Sequence, residues 1–465
     1  MKKIGFVSLG CPKNLVDSEV MMGLLAGEGY EITPRAEEAE VLVVNTCSFI
    51  ESAQQESVDA ILEMAELKKS GRARRLIVAG CLVERYRSEI QRDIPEIDAL
   101  VGTNELPDIL RAVNPESKTL QPAPAMMLPT AGRALTVLPA ALPEPVTAPY
   151  LYDELTPRLR ATAGHTAYIK IAEGCDHPCA FCVIPHYRGK FRSRRPESVL
   201  AEARRLAAEG VREIVLIGQD TTCYGEDLGL RDGLAGLLAQ LAAVEELAWI
   251  RTLYFYPNKI TTRLLETIAA HPRLCKYIDM PLQHASPAVL KRMRRGGTGE
   301  HFLRLLEKIR SLIPGVALRT TFITGFPGET AAEFAELCDF VAAAEFDWMG
   351  VFGYSDEATS QAHQLADKVD EKTVAARRDR LMRMQKKISR RRRRAEVGRR
   401  VPVLVEGPSR EADYLWEGRL EGQAPEIDGK IWLSEFPGDQ APRPGQIVTA
   451  EIIAAHDYDL VARVL

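Results

Sequence analysis

Three thiols fall within one ten-residue stretch, Glu173-Gly174-Cys175-Asp176-His177-Pro178-Cys179-Ala180-Phe181-Cys182. Three thiolates on a single loop can take three corners of an iron–sulfur cube and leave one iron without a protein ligand. An open metal position is what a reactive site keeps and a structural site closes, the distinction that separates catalytic from structural zinc. A zinc site completed by His177 or His186 competes for the same residues. The spacing Cys-x3-Cys-x2-Cys is far more specific than a lone Cys-x2-Cys, and it favours the iron–sulfur reading.

Three further cysteines follow a different logic. The apolar runs 4–10, 41–46 and 76–80 each end directly before a cysteine: Cys11, Cys47 and Cys81, spaced 36 and 34 residues apart. That is about the length of a βαβ unit. Helical periodicity fills the gaps, with Val20, Leu24 and Leu25 sharing a face over 18–28, and Val58, Ile61, Leu62 and Ala65 over 52–69. The alternation predicts a doubly wound parallel α/β domain, in which ligands bind beyond the carboxyl ends of the strands. One cysteine so placed would read as an inert buried thiol. Three with the same placement predict a second three-cysteine iron–sulfur site with its own open iron.

The elements that must position the Cys175 loop follow it in a strand–helix rhythm. Strand patterns at 168–172, 214–217, 250–254, 277–280, 318–323 and 349–352 alternate with helical patterns at 196–208, 234–245, 262–270, 287–294, 300–312 and 329–344. Pro196 suits a first helical position and Gly210 a helix stop. Six such strands predict a partial (β/α)6 barrel with its site at the C-terminal strand ends. Past those ends stand Gly218-Gln219-Asp220-Thr221-Thr222, Pro281-Leu282-Gln283-His284, and a run from Thr320 to Glu329 that includes Ile323 and Gly325. Glycines allow a close backbone approach, and the polar groups suit the ribose, carboxylate and amine of a nucleoside cofactor. His284 reads more simply as a satisfied structural histidine. Ile323 and Gly325 suit barrel filling and a turn equally well. Cys223, Cys275 and Cys338 are unrelated in spacing and are expected to be packing thiols.

The 465 residues allow about three domains by length. No apolar run approaches the ~20 residues of a membrane span, and the first residues lead straight into a strand pattern, so a cytoplasmic protein is expected. Nine cysteines in that setting argue for metal or redox chemistry rather than a disulfide framework. Net charge is −4, but it is unevenly placed: residues 371–400 carry fourteen Lys/Arg against three Asp/Glu, and 401–465 carry five against twelve. The first of these segments reads as a long basic helix over 372–397, with Leu381, Met384 and Ile388 on one face and Arg390-Arg391-Arg392-Arg393-Arg394 circling it. That run suits either a solvated helix end or phosphate contacts. The second holds five short strand patterns, at 401–405, 414–420, 431–433, 447–453 and 459–464, predicting a small antiparallel β-barrel.

Phe181 directly before Cys182 completes a pattern that resembles the radical S-adenosylmethionine signature. From end to end the chain resembles the methylthiotransferases of that class, which have a three-cysteine N-terminal domain, a partial radical barrel and a C-terminal TRAM barrel. Residues 168–176, 184–194, Gln219-Asp220-Thr221-Thr222, 280–286, Tyr354-Ser355-Asp356-Glu357 and His456-Asp457-Tyr458-Asp459-Leu460 resemble the branch that modifies an aspartate of ribosomal protein S-twelve. The sister branch, which acts on an adenosine of transfer RNA, usually has Gln-Asn at Gln219-Asp220 and Ser-Gly-Ser at His284-Ala285-Ser286. The Pro-rich stretch from Gln121 to Pro149 is longer than the resemblance leads one to expect, and the five-arginine run is unusual.

The resemblance implies two 4Fe-4S clusters, one on Cys175, Cys179 and Cys182 and one on Cys11, Cys47 and Cys81. The first would bind S-adenosylmethionine and generate a radical that takes hydrogen from the aspartate β-carbon. The second would carry the inserted sulfur, and a further S-adenosylmethionine would give the methyl group. Contacts to S-adenosylmethionine are expected from Phe181, Gly218, Gln219, Gln283, Ile323 and Gly325. Implied partners are ribosomal protein S-twelve, free or on the small subunit, and a reductant such as a flavodoxin or ferredoxin. No membrane is expected, and RNA contact only through the basic helix. The expected domains are 1–115, a linker at 116–160, a radical core with its basic helix at 161–398, and a TRAM domain at 399–465. The acidic count of the TRAM segment favours a basic protein over RNA as acceptor, with Glu411, Asp413 and Glu417 as the residues to reverse. The competing readings are the transfer-RNA enzyme and, from another class, an iron–sulfur carrier or cluster scaffold. A carrier needs neither a six-strand barrel nor a TRAM-like domain.

Overall fold

Apolar runs make the longer strands of the first sheet, and those at 41–46 and 76–80 are buried on both faces. In the computed structural model, which describes residues 2–116, 150–409, 415–436 and 442–465, the strands of this sheet are β1 (Lys3–Ser8), β2 (Glu31–Thr33), β3 (Val41–Thr46), β4 (Arg75–Gly80) and β5 (Ala99–Val101). All pair in parallel, in the order β2-β1-β3-β4-β5. Helices α1 (Pro12–Gly27), α2 (Glu51–Ser70) and α3 (Cys81–Asp93) connect them. The sheet thus gains β2 and β5, three-residue strands too short to leave a periodicity in the sequence. Strands β1, β3 and β4, which lead to Cys11, Cys47 and Cys81, are immediate neighbours.

The described residues fall in two compact units. One comprises Met1–Ser48, Ser52–Tyr152 and Thr156–Leu159, and the other Phe49–Glu51, Asp153–Leu155 and Arg160–Leu465. Residues 117–149 of the expected linker lie outside the described residues. Its residues 156–159 belong to the first unit. Arg158 pairs with Glu19 of α1 with both side chains buried, and the Leu159 N–H donates to the Glu19 carbonyl at 2.9 Å.

In the second unit six parallel strands follow the expected rhythm: β6 (Thr166–Lys170), β7 (Glu213–Ile217), β8 (Trp249–Thr252), β9 (Tyr277–Asp279), β10 (Ala317–Thr324) and β11 (Trp348–Gly353). They form two three-stranded sheets, β8-β7-β6 and β9-β10-β11, joined by a parallel bridge between Ile250 and Leu274. Helices Pro196–Ala208, Gly233–Leu241, Thr262–Ala270, Gly299–Leu312 and Ala331–Ala344 cover the outside, their apolar faces in one core with the strands. Pro196 opens its helix, Gly210 stops it at φ +95°, and Thr330 with Glu333 forms a capping box.

The long helix Glu371–Arg394 buries Leu381 and Ile388 against this core, with Met384 half-buried between them. Its arginine run is not a free basic face. Arg392 and Arg393 meet buried Asp347, Arg391 meets Glu345 and Arg390 meets Asp457.

The C-terminal strands β12 (Arg400–Pro408), β13 (Trp416–Arg419), β14 (Ile431–Ser434), β15 (Ile447–Ala455) and β16 (Leu460–Val464) close a barrel in the order β12-β13-β14-β16-β15. It is not wholly antiparallel, because β14 and β16 pair in parallel. They are not consecutive in the chain, so closure is free of the hairpin constraint. The barrel's loop after β13 reaches the N-terminal strand ends of the radical core. The Gly422 carbonyl accepts from the Trp348 indole at 2.7 Å, Glu421 accepts from the Lys276 N–H at 2.6 Å, and Asp428 accepts from the Tyr277 hydroxyl at 2.6 Å. Glu411 and Asp413 lie outside the described residues, and Glu417 accepts from Lys430 at 3.1 Å. Asp428 and Asp457 face Arg319 and Lys386 from outside the segment, so its net count overstates the charge left to solvent. Among the described residues no helix is long and apolar enough to cross a membrane.

Candidate active site

The loop of Cys175, Cys179 and Cys182 is held from both sides by backbone. The Cys175 N–H donates to the Gly189 carbonyl at 3.2 Å, Ala180 donates to Met293 at 2.9 Å, and Ala180 accepts from Ala362 at 2.8 Å. Inside the loop the Cys182 N–H reaches the Cys179 carbonyl at 3.1 Å. Burial pushes the Cys175 thiol up to about 11 and that of Cys182 up to about 12. Such thiols stay protonated without a cation to compensate the thiolates, and a metal centre supplies that compensation. Of the two histidines of the zinc alternative, His177 is bonded through Nε2 to Asp220 at 2.5 Å, and His186 is exposed.

Beneath the loop a buried charge cluster fixes one expected cofactor contact. Glu173 accepts from Lys170 at 2.5 Å, from Arg188 at 3.3 Å and from the Gln219 amide at 2.5 Å. Burial opposes the Glu173 charge, but Lys170 and Arg188 outweigh it and hold the carboxyl below its ordinary range. The Gln219 amide is thereby anchored, while its carbonyl Oε1 is buried without a partner among the described residues. An orphaned acceptor on a side chain anchored to Glu173, two residues before Cys175, fits a ligand that brings an N–H or O–H donor, as the ammonium or ribose of S-adenosylmethionine would.

The remaining expected contacts divide by surroundings. Phe181 and Ile323 join one apolar cluster with Ala180, Val289, Met293, Phe326 and Tyr354. Gln283 takes φ +72°, uncommon outside glycine, and is pinned by its N–H to Thr321 and its carbonyl to Ile323, both at 2.8 Å. Gly218 follows β7 with room beside it, an added Cβ meeting nothing nearer than the Ala172 carbonyl at 3.4 Å. Gly325 has a packing reason instead: at φ +73° its Cβ would lie 2.2 Å from a Val374 methyl. His284 is fully buried and accepts from the Ser286 N–H at 3.0 Å through Nδ1, and burial lowers its pKa to about 3, so it stays neutral. Cys275 and Cys338 are buried. Cys223 is buried too, and its thiol donates to Asp220 at 3.0 Å.

In the first unit one residue ties the three cysteine loops together. Asn14, fully buried on α1, donates to the Leu9 carbonyl at 3.1 Å and to the Thr46 carbonyl at 2.7 Å, and its Oδ1 accepts from the Cys81 thiol at 3.6 Å. The loops approach closely enough to require glycine before two of the cysteines. A Cβ on Gly10 would lie 2.7 Å from that of Cys47, and one on Gly80 2.3 Å from Asn45 Oδ1. Both glycines hold positive φ, +88° and +96°. Ser57 completes the frame, bonding both the N–H and the carbonyl of Cys47 at 3.0 Å. Neither Asn14 nor Ser57 was expected from the sequence. The one available signal was the repeated Gly-Cys pair at 10–11 and 80–81.

Comparison with known proteins accords with this arrangement. Residues 3–102 match the uncharacterized protein family UPF0004, 169–341 the radical SAM superfamily, and 397–465 the TRAM domain. The radical SAM superfamily implies a 4Fe-4S cluster and S-adenosylmethionine, and the thiol loop with its orphaned Gln219 acceptor suits both. The solved radical S-adenosylmethionine methyltransferase TsrM from Kitasatospora setae shares the fold, with a TM-score of 0.51 at 13% identity over 76% of this chain and 72% of its own. Ribosomal protein uS12 methylthiotransferase RimO of Koribacter versatilis (strain Ellin345) is 58% identical, covering 100% of this chain and 96% of its own. The protein of that name from Solibacter usitatus (strain Ellin6076) is 59% identical, covering 100% and 95%. With such identity along its full length and a thiol triad in each unit, the chain belongs to the ribosomal protein uS12 methylthiotransferase RimO family.

Proposed function

We propose that this radical S-adenosylmethionine methylthiotransferase modifies an aspartate of ribosomal protein uS12, with Cys175, Cys179 and Cys182 holding one 4Fe-4S cluster and Cys11, Cys47 and Cys81 a second. The chemistry supplied when these groups and S-adenosylmethionine are bound is hydrogen removal from an unactivated β-carbon, followed by transfer of sulfur and a methyl group. The observation that supports the second cluster is Asn14, whose amide joins the Leu9 and Thr46 carbonyls beside Cys11 and Cys47 and lies 3.6 Å from Cys81 Sγ.

The chain's own residues orient and exclude. Gln219 Oε1 accepts from the cofactor's donor groups, and Gly218 leaves room for them. Gln283 contributes polar contact from a backbone its neighbours fix. Phe181 and Ile323 form an apolar wall that keeps water from a reactive carbon. A cytoplasmic setting and a one-electron donor protein such as a flavodoxin or ferredoxin complete the proposal.

Anaerobic reconstitution tests it. About eight irons per chain are expected, falling to about four in Cys47→Ala. Four irons in both proteins would defeat the two-cluster reading. Mass spectrometry of uS12 and of bulk transfer RNA from a deletion strain decides the acceptor. Loss of the methylthio group from transfer RNA alone would assign the substrate to an adenosine instead.

A further inference from the structure

Arg295 is a buried cation without a carboxylate. It is 7% exposed, and among the described residues its guanidinium makes no ion pair. Its Nη1 donates to Cys179 Sγ at 3.5 Å, its Nη2 donates to the Pro281 carbonyl, and its Cζ lies 4.5 Å from the centroid of the Tyr256 ring. A carbonyl, a ring face and a neutral thiol do not balance a charge held away from water. The ring beneath Arg295 ties it to the radical loop a second time. Tyr256 also stacks on His177 of the loop, with centroids 3.7 Å apart and planes within 7°, and His177 is fixed by Asp220. Two points of the loop, His177 and Cys179, thus rest on the same Tyr256–Arg295 pair.

We propose that Arg295 is a positioning residue for the radical cluster, its charge balanced by the cluster thiolates and its hydrogen bond to Cys179 making the cluster easier to reduce. The proposal rests on the assignment of Cys175, Cys179 and Cys182 as the cluster ligands. Hydrogen bonds to ligating sulfur and nearby positive charge stabilise the state that carries the extra electron. That electron is the one a mediator or donor protein adds as the cluster passes from the 2+ to the 1+ state. No proton or bond changes hands in this step.

The test is a mediator-poised redox titration of the reconstituted full-length protein, followed by the electron paramagnetic resonance signal that S-adenosylmethionine perturbs. Arg295→Gln retains a donor and removes the charge. Its reduction equilibrium is expected to fall about tenfold, a shift of about 59 mV to lower potential for one electron, with iron content unchanged. Arg295→Lys should recover most of that shift. Wild-type iron content separates the two readings. A wild-type loop that holds no cluster defeats the ligand assignment, whereas a loaded Arg295→Gln protein at the wild-type potential defeats the Arg295 proposal alone. A variant that keeps its potential and loses only affinity for S-adenosylmethionine also overturns it, moving Arg295 to the cofactor's carboxylate. Should Arg295→Gln lose the cluster altogether, the Arg295→Lys titration decides: no shift with charge retained supports the proposal, and a full tenfold shift overturns it.

Discussion

His177 donates from Nε2 to Asp220 Oδ2 at 2.5 Å, joining the radical loop to the end of β7 across 43 residues of chain. Asp220 also accepts from the Thr222 N–H at 2.8 Å, from the Thr222 hydroxyl and from the Cys223 thiol. Burial raises its carboxyl, but these donors outweigh burial and keep it below the usual carboxylate range. The imidazole therefore points toward a fixed anion, which sets the ring plane that Tyr256 stacks upon.

Replacing that anion by its neutral isostere should loosen the loop without emptying the site. Asp220→Asn gives up a charge-assisted hydrogen bond for a neutral one, a difference of about 1.5 kcal/mol. The expected result is 5′-deoxyadenosine formation slowed about tenfold at unchanged iron content. A rate equal to wild type would remove Asp220 from any part in positioning.

Asn14→Ala should act on the other triad. Its loss leaves the buried Thr46 carbonyl and the half-buried Leu9 carbonyl without that donor, at a cost of about 1–3 kcal/mol for the buried one. Iron per chain after reconstitution should fall from about eight toward about four, with the radical cluster's signal retained. A full iron complement in a folded Asn14→Ala protein would show that the three loops hold their geometry without it.

What the sequence revealed follows from how each part is encoded. The cysteines and the six core strands were legible because thiol spacing and apolar periodicity are local signals. Asn14, Tyr256 and Arg295 were not, because each acts on residues distant in the chain: Asn14 on Thr46, Arg295 on Cys179. The arginine run misled for a related reason. A helical projection shows charge circling the axis, but Asp347 and Glu345 come from the approach to β11. The acidic count of the TRAM segment likewise left out the cations that Arg319 and Lys386 bring from outside it.

The seam between the radical core and the TRAM barrel should be the acid-sensitive part of the second unit. Glu213, fully buried at the start of β7, accepts from Arg251 at 2.9 Å and from Arg419. Arg419 also donates to Glu406 at 2.6 Å. Arg419→Met leaves Glu213 with half its compensation and should cost about 3–5 kcal/mol in chemical denaturation. For Glu406, burial pushes the carboxyl up, but His165 and Arg419 outweigh it and hold it at about 2. A depressed folded value means a contribution fully present above the unfolded value of about 4.5 and lost as pH falls toward about 2. The stability difference between wild type and Glu406→Gln should therefore be flat above pH ~5 and vanish on acidification through that window. A difference that instead grew as pH fell would reverse the assignment.

The five arginines should differ sharply in what they contribute. Asp347, 4% exposed, accepts from Arg392 at 2.8 Å and Arg393 at 3.3 Å, while its other oxygen takes the Leu318 N–H at 2.9 Å. Arg393 is buried as well, its guanidinium 5.0 Å from the centroid of the Trp348 ring. Removing both cations strands a carboxylate in the interior, so Arg392→Ala with Arg393→Ala should destabilise by about 3–5 kcal/mol. Arg391 meets only a half-exposed Glu345, and Arg394 is itself exposed. Arg391→Ala with Arg394→Ala should then cost no more than about 1 kcal/mol, because water and salt screen such pairs. Denaturant titration of the two double variants decides between a strut and a uniformly solvated basic helix end. Equal losses would favour the latter, and would restore the run as a candidate phosphate-binding surface whose affinity for ribosomal RNA falls steeply with salt.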